Sequence, residues 1–407
     1  MRLIPAIHRR DAGILITARA LRGFIDGLVS TILPTYFAFI GFNSFHTGAI
    51  ITATLFGSAL LTLLVGFMGH HLQRLTLLHI ACAAMIATGI GFASITWFWI
   101  LLIVAVIGTI NPSSGDVSVF LPTEQALLPA TATDEQRTSL FARYTLAGFG
   151  AGAIGALFVG VPNVLHRHHV MSESWSYRTI FILYSLLGLV LYLLYSKLSP
   201  QLASHPIHQS LPLGESRKKV VSLAVLFSLD SFGGGFVVQA LVVLWLQHRF
   251  QLSLAVTGAV FFWTGMMSGF SGLVAVHIAR HIGLVRTMVF THIPANIFLI
   301  SAAFMPNAWL AVTCLVLRSA LSQMDVPIRT SYVMAIVTPP ERAAAASLTN
   351  VPRSLASALP PLGAGWMLQH STFGWPLIAG GSIKIIYDLL LLYKFRNVLP
   401  PEELFTT

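Results

Sequence analysis

Ionisable side chains sit inside stretches of this chain that are otherwise apolar. Six are acids: Asp26, Asp116, Glu124, Asp230, Asp325 and Asp388. Seven are bases: Arg19, Arg22, Arg143, Arg318, Arg329, Arg353 and Lys384. A carboxylate desolvated without a cation beside it favours its protonated form, so it can load and release a proton. A guanidinium in the same setting binds an anionic group or an acid opposite. Spacing sorts the residues further. Arg22 and Asp26 share one helical face, with Ser30 a turn beyond. Arg318, Ser322, Asp325 and Arg329 follow a 4-3-4 spacing, a polar stripe along one helix. Asp116 and Glu124 share a face, and Gly115 and Pro122 beside them permit local unwinding. Neither has a cation on its own helix. Asp230 lacks one too, and it precedes Gly233-Gly234-Gly235, a poor continuous helix. The leading proton-carrier candidates are therefore Asp116 and Asp230, followed by Asp325, Glu124 and Asp26. Pairing with Arg143, Arg318 or Arg353 across helices is the open alternative. Arg318, Arg329, Arg353, Arg22, Tyr36, Gln239 and Asn350 are the candidates for the wall of a polar cavity. Lys384 and Asp388, four apart, read as a self-neutralising structural pair. His166, His168 and His169 crowd one loop beside Arg167 and read as a solvated loop, so no metal site is expected.

Such residues need a scaffold that shields them. Each ionised group at mid-bilayer costs ~2.5–3.5 kcal/mol on insertion scales. Of 407 residues, 55% are hydrophobic and only 9% are charged. A soluble domain carries about 25% charged residues, so a soluble multidomain enzyme is excluded, as are a disordered chain and a disulfide scaffold. Spans of about 20 apolar residues are predicted near 14–40, 46–69, 75–95, 97–128, 138–162, 178–197, 219–246, 253–279, 284–305, 308–337, 343–369 and 374–394, the fourth interrupted by Pro112. Twelve transmembrane helices in an all-α integral membrane protein is the expected fold class. Cys82 and Cys314 lie within apolar spans and form no metal or disulfide pattern.

The net charge of +10 is a matter of topology. Lys and Arg concentrate in alternate loops, which places both termini in the cytoplasm of a multi-pass protein of the cell (inner) membrane. No basic patch interleaved with aromatics offers a nucleic-acid surface. The longest polar break, 198–218, divides the chain into a six-span half at 1–197, a cytoplasmic linker, and a second six-span half at 219–407.

The halves repeat one another. Thr47-Gly48-Ala49-Ile50 opens the second span and Thr257-Gly258-Ala259-Val260 the eighth. Asp116-Val117 matches Asp325-Val326, and Asp26 matches Asp230. The turns Asp134-Glu135-Gln136-Arg137 and Pro339-Pro340-Glu341-Arg342 also correspond. Duplicated halves with a site between them mark transporters. In its spans, linker and basic turns the chain resembles the major facilitator superfamily. That family's Gly-x-x-x-Asp-Arg-x-Gly-Arg loop corresponds to Gly66 through Arg74, with His70 in place of the Asp and Gln73 in place of the second Gly. The second-half copy runs from Ala279 to Arg286. The resemblance implies two pseudo-symmetric bundles with spans one, four, seven and ten around the cavity. It also implies a cytoplasmic gate at Gly66, His70, Arg74, Arg137, Gly283, Arg286 and Arg342. Span five carries Gly148 and Gly152 of the family's antiporter pattern but lacks its Pro and final Gly pair. Close helix packing through small residues is the other reading of these glycines.

No phosphate loop, dinucleotide fingerprint or His-Glu-x-x-His occurs, so the chain is not expected to be an enzyme and no cofactor is expected. The expected function is alternating-access transport of a small solute coupled to protons, first as efflux of a small organic compound. Uptake of an organic anion held by Arg353 and Arg318 is the alternative. The expected partners are a small-molecule substrate, protons and the lipid bilayer, around a monomer. A polytopic enzyme or receptor is the rival from another class.

Overall fold

The computed structural model describes residues 6–68, 73–113, 120–132, 134–199, 202, 214, 216–338 and 341–398. The regular structure of the described residues is helical, with no strand among them. Eight segments are long and apolar enough to cross a membrane: Ser44–Leu64, Arg74–Ser94, Ser139–Arg167, Glu173–Tyr195, Arg217–Phe250, Leu254–Ala279, Leu284–Phe304 and Trp375–Phe395. They correspond to predicted spans two, three, five to nine, and twelve. The other four predicted spans are helical as well, but each is charged or broken. Span one is Ala6–Phe39. Span four splits into Phe98–Ile107 and Phe120–Leu127, span ten into Ala308–Ser322 and Asp325–Ile336, and span eleven into Arg342–Ala358 and Pro360–His370.

The breaks have local causes. Pro327 lacks an N–H, and in a continuous helix its ring would meet the carbonyl of Gln323; the helix stops at Ser322 and restarts at Asp325. Pro360 and Pro361 open the second piece of span eleven, where proline is tolerated. Span seven runs unbroken through the glycine triplet to Gly235 and restarts at Gln239. The triplet was expected to interrupt the helix; instead the break falls just after it.

Packing repeats between the halves. Span one packs on span five as span seven packs on span eleven, and span three on span six as span nine on span twelve. Between the halves, span two packs on span eleven, span five on span eight, and span one on span seven. Exchanging the halves maps this set onto itself, as a duplicated six-helix bundle requires. One apolar core fills the first half, centred on Tyr36, Phe92 and Phe181. Two others fill the second, around Trp245 and around Phe227.

Glycine backbones bring the spans together. A Cβ on Gly23 would lie 2.4 Å from the Gly148 carbonyl oxygen, and one on Gly27 would lie 2.0 Å from that of Gly152. The span-five glycines thus have a packing role against span one. Most of linker 198–218 lies outside the described residues. Its ends are tethered: the Ser199 N–H donates to Asp11 at 3.3 Å, and the Gly214 N–H donates to Glu341.

Candidate substrate cavity and buried charge clusters

A cavity of about 340 Å³ lies between the halves, lined mainly by spans seven, eight, ten and eleven. All four residues of the 4-3-4 stripe, Arg318, Ser322, Asp325 and Arg329, reach its wall. The wall is rich in hydroxyls and amides, including Ser231, Thr264, Ser319 and Gln239. Bonds between described residues of the two halves lie deep in this interface or beyond it, toward the end away from the chain termini. The Gln239 amide donates to Thr31 Oγ1 at 2.9 Å, Gln247 to Thr35 at 2.9 Å, and the Phe45 N–H to Gln369 at 3.2 Å. The Ala240 N–H reaches the Pro112 carbonyl at 3.1 Å, so the broken spans four and seven are joined at their breaks. Gly48 and Gly365 let spans two and eleven close at that same end: a Cβ on Gly48 would be 2.4 Å from the Pro361 carbonyl oxygen.

Beside the cavity lies a charge cluster belonging wholly to the second half. Asp230 accepts from Lys384 Nζ at 2.6 Å and from Arg329 Nη1 at 3.0 Å. Arg329 also faces Asp325 at 3.4 Å, and its guanidinium lies 5.3 Å from the centre of the Phe227 ring. His292 Nδ1 sits 2.9 and 3.1 Å from the two Asp388 oxygens, and Nε2 is 3.8 Å from Asp230. Asn296 donates to Asp388 at 3.4 Å. These partners correct two sequence expectations. Lys384 and Asp388 do not neutralise each other; they reach inward to Asp230 and His292. Asp230 is bound by Lys384 and Arg329 rather than by Arg143, Arg318 or Arg353, and Arg143 is exposed. The broken tenth span is what delivers two of these groups, because Asp325 opens its second helix, where the positive end of the helix dipole suits a carboxylate.

Two cavity arginines differ from Arg329. Arg353 Nε donates to Ser231 Oγ at 2.9 Å. Arg318 makes no hydrogen bond or ion pair among the described residues, and its Nε is buried without a partner.

The second cluster lies within the first half, away from the cavity-lining residues. Glu124 is fully buried and accepts from Arg22, Tyr144 and Tyr195. The Arg22 guanidinium also lies 4.6 Å from the centre of the Phe120 ring. One carboxylate thereby joins spans one, four, five and six. Asp26 is buried near Asn111 Nδ2, at 3.5 Å.

The remaining candidates divide as follows. Asp230, Asp325, Arg318, Arg329, Arg353 and Gln239 line the cavity. Tyr36 does not; its hydroxyl donates to the Phe92 carbonyl at 2.6 Å within the first-half core. Asn350 is exposed. Arg74 Nη1 donates to the Ala126 carbonyl at 3.0 Å, and Arg342 Nε to the Met334 carbonyl at 3.2 Å. Gly283 takes φ +87° between spans eight and nine, a conformation that favours glycine, and Arg286 follows it in span nine. Asp116 and His70 lie outside the described residues, and Gly66 and Arg137 are described only as helix backbone. Sequence reasoning passed over His292, Asn296, Tyr144 and Tyr195. Polar side chains in apolar spans were the available signal; His292 and Asn296 carry it at a four-residue spacing, whereas Tyr144 and Tyr195 read as aromatic filler.

Comparisons with known proteins agree with this architecture. The family model of the Major Facilitator Superfamily matches residues 15–323. A Saccharomyces cerevisiae protein described as uncharacterized membrane protein YJR124C is 26% identical over 424 residues, spanning 96% of this chain and 95% of its own length. The multidrug efflux protein YfmO of Bacillus subtilis is 30% identical over 143 residues, 35% of this chain and 36% of its own. The crystal structure of a D-xylose-proton symporter superposes with a TM-score of 0.73 at 14% identity, over 97% of this chain and 98% of that one. At that identity the likeness concerns the fold alone. Two duplicated bundles, a cavity between them and a family match over most of the chain lead to one conclusion: this is a multi-pass transporter of small solutes, not an enzyme, and it belongs to the Major Facilitator Superfamily.

Proposed function

We propose that this transporter exports a small organic compound bearing an anionic group, by alternating access and in exchange for protons. Arg318 carries the reading. A guanidinium on the cavity wall with a buried, unpartnered Nε is costly until an acceptor arrives, because an unmet buried donor forfeits ~1–3 kcal/mol. A carboxylate or phosphate supplies that acceptor with matching geometry. Charge on the wall points the same way. Among the described residues, Arg318, Arg329, Arg353 and Lys384 line the cavity, with Asp230 and Asp325 as the lining acids. Similarity to YfmO over part of the chain supports export. The halves 1–197 and 219–407 are the moving bodies, with the linker and both termini in the cytoplasm of the cell membrane, and the working unit is a monomer.

A thermal-shift screen with citrate, benzoate, glucose 6-phosphate and neutral xylose tests the substrate class. An anion is expected to stabilise the wild type and to leave Arg318→Gln unmoved; stabilisation by xylose alone, equal in both proteins, refutes the reading. Everted vesicles with an acid interior then test direction using the anion that binds. Accumulation there supports proton-driven export. Accumulation only in right-side-out vesicles with acid outside indicates uptake, and indifference to pH removes the coupling.

A further inference from the structure

His292 and Asp388 lie on spans nine and twelve, outside the helices on which the polar stripes pointed to chemistry. His292 nonetheless lines the cavity, while Asp388 is fully buried behind it. Both Asp388 oxygens lie within 2.9 and 3.1 Å of Nδ1. An ionised carboxylate only accepts, so Nδ1 carries the hydrogen and Nε2 is left with its lone pair. Asn296, itself held by donation to the His292 carbonyl at 2.9 Å, orients the carboxylate from the other side. On the Nε2 side the nearest acid is Asp230, at 3.8 Å. One imidazole is therefore set between two carboxylates from different spans, with its basic nitrogen toward the cavity.

We infer that His292, oriented by Asp388, is a proton-binding site of this transporter, taking up one proton at Nε2 from the cavity. The inference rests on the proton-coupled reading above and names the group that carries the ion. The step is an addition: the Nε2 lone pair binds a proton from water in the cavity, the ring becomes imidazolium, and release reverses it at the same nitrogen. The groups facing the ring give this charge a place. Span twelve contributes Asp388, Lys384 and Tyr387, whose ring centre is 6.1 Å away. Span seven contributes Asp230. Span ten contributes Asp325, Arg329 and, along the same cavity wall, Arg318. Span eight contributes Thr264 and Ser268 to that wall. Within the bonded cluster the acids are Asp230, Asp325 and Asp388, and the fixed cations are Arg329 and Lys384. That set is one positive charge short of balance, and a proton on His292 supplies it. Histidine is the side chain suited to do so near neutral pH.

Infrared difference spectroscopy on the reconstituted full-length protein, titrated between pH 5 and 8 without substrate, tests this directly. The wild type is expected to show an imidazole band that appears on acidification and is lost in His292→Gln. Asp388→Asn keeps an acceptor at Nδ1 but removes the charge, and it is expected to move the pH at which the band appears by about 1–3 units. Identical spectra for wild type and His292→Gln overturn the inference, as does an Asp388→Asn titration that superposes on the wild type. Wild-type thermal stability in both variants separates a lost proton site from a lost fold. If the band titrates as expected while transport of the bound anion ignores an imposed pH gradient, the coupled reading fails and the proton site stands.

Discussion

Replacing Glu124 with Gln puts a number on the first-half cluster. The change keeps size and shape but removes the carboxylate that bonds buried Arg22, 2% exposed, within the described cluster. Two magnitudes compete. Polar contacts inside membrane proteins average ~0.6 kcal/mol by double-mutant cycle, because the unfolded chain in lipid also finds partners. Breaking one side of a buried ion pair costs about 3–5 kcal/mol, because a charge is left uncompensated. The second wins here: Arg22 is enclosed by Phe120, Tyr144 and Tyr195 and cannot reach an interface. At about 2 °C per kcal/mol for a large chain, the melting temperature falls by roughly 6–10 °C. A thiol-reactive dye reads this well, since Cys82 is buried and Cys314 partly so, and unfolding exposes both. Arg22→Gln alone should destabilise less, and the double variant should recover much of the loss. Singles that sum to the double within ~0.5 kcal/mol would show the pair uncoupled and refute the reasoning.

Gly27→Leu should abolish folded protein on size-exclusion chromatography, because its side chain collides with the span-five backbone; Gly150→Ala, with nothing within 4 Å of its Cβ, should elute as wild type. Gly48→Val should wedge spans two and eleven apart, increasing labelling of Ser357→Cys, in a background lacking Cys82 and Cys314, by a thiol reagent confined to the far side; unchanged labelling counts against a seal there. Glu341, in the turn before span eleven, is held below the usual carboxylate range by hydrogen bonding to Ser216 first, then to the Gly214 amide and Thr338. A depressed value stabilises above the unfolded pKa and is lost as pH falls through the folded one. Hydrogen exchange at Gly214 should therefore be slow at neutral pH and, corrected for intrinsic rate, quicken only in acid below that ordinary range. A Glu341→Gln variant in which the Gly214 amide stays as protected as in wild type at neutral pH would refute the tether.

Much of the fold is legible in the residues because membrane insertion imposes a length and a composition on every span. The duplicated Thr-Gly-Ala openings sit in helices that pack equivalently, and Arg318, Ser322, Asp325 and Arg329 do line the cavity, because a polar stripe in an apolar helix has few other places to go. What one helix cannot reveal is its rotation and depth relative to the next. Asp230 looked solitary because Lys384 and Arg329 are 154 and 99 residues away. Lys384 and Asp388 looked complete because four-residue spacing satisfies a lone helix, yet each turns to a partner on another span. His292 and Asn296 are four apart on one face, yet that spacing does not reveal the acids of other spans that meet them, and Tyr144 and Tyr195 resemble ordinary aromatic filler until Glu124 is seen between them. Tyr36 misled in the opposite sense: its hydroxyl meets a carbonyl inside the core.

The two copies of the ancestral unit have parted company chemically. Among the described residues, one holds its bonded ions in the Glu124 cluster away from the cavity and lines the cavity with Leu55, Ser113, Phe149, Gly152 and Ala153. The other supplies, among the described residues, all the ionisable side chains that line that cavity. The first behaves as an anvil and the second as a charged tool working against it. Changes of cargo in evolution or in the laboratory should accordingly fall on the second copy, while damage to the first should appear as lost folding rather than altered selectivity.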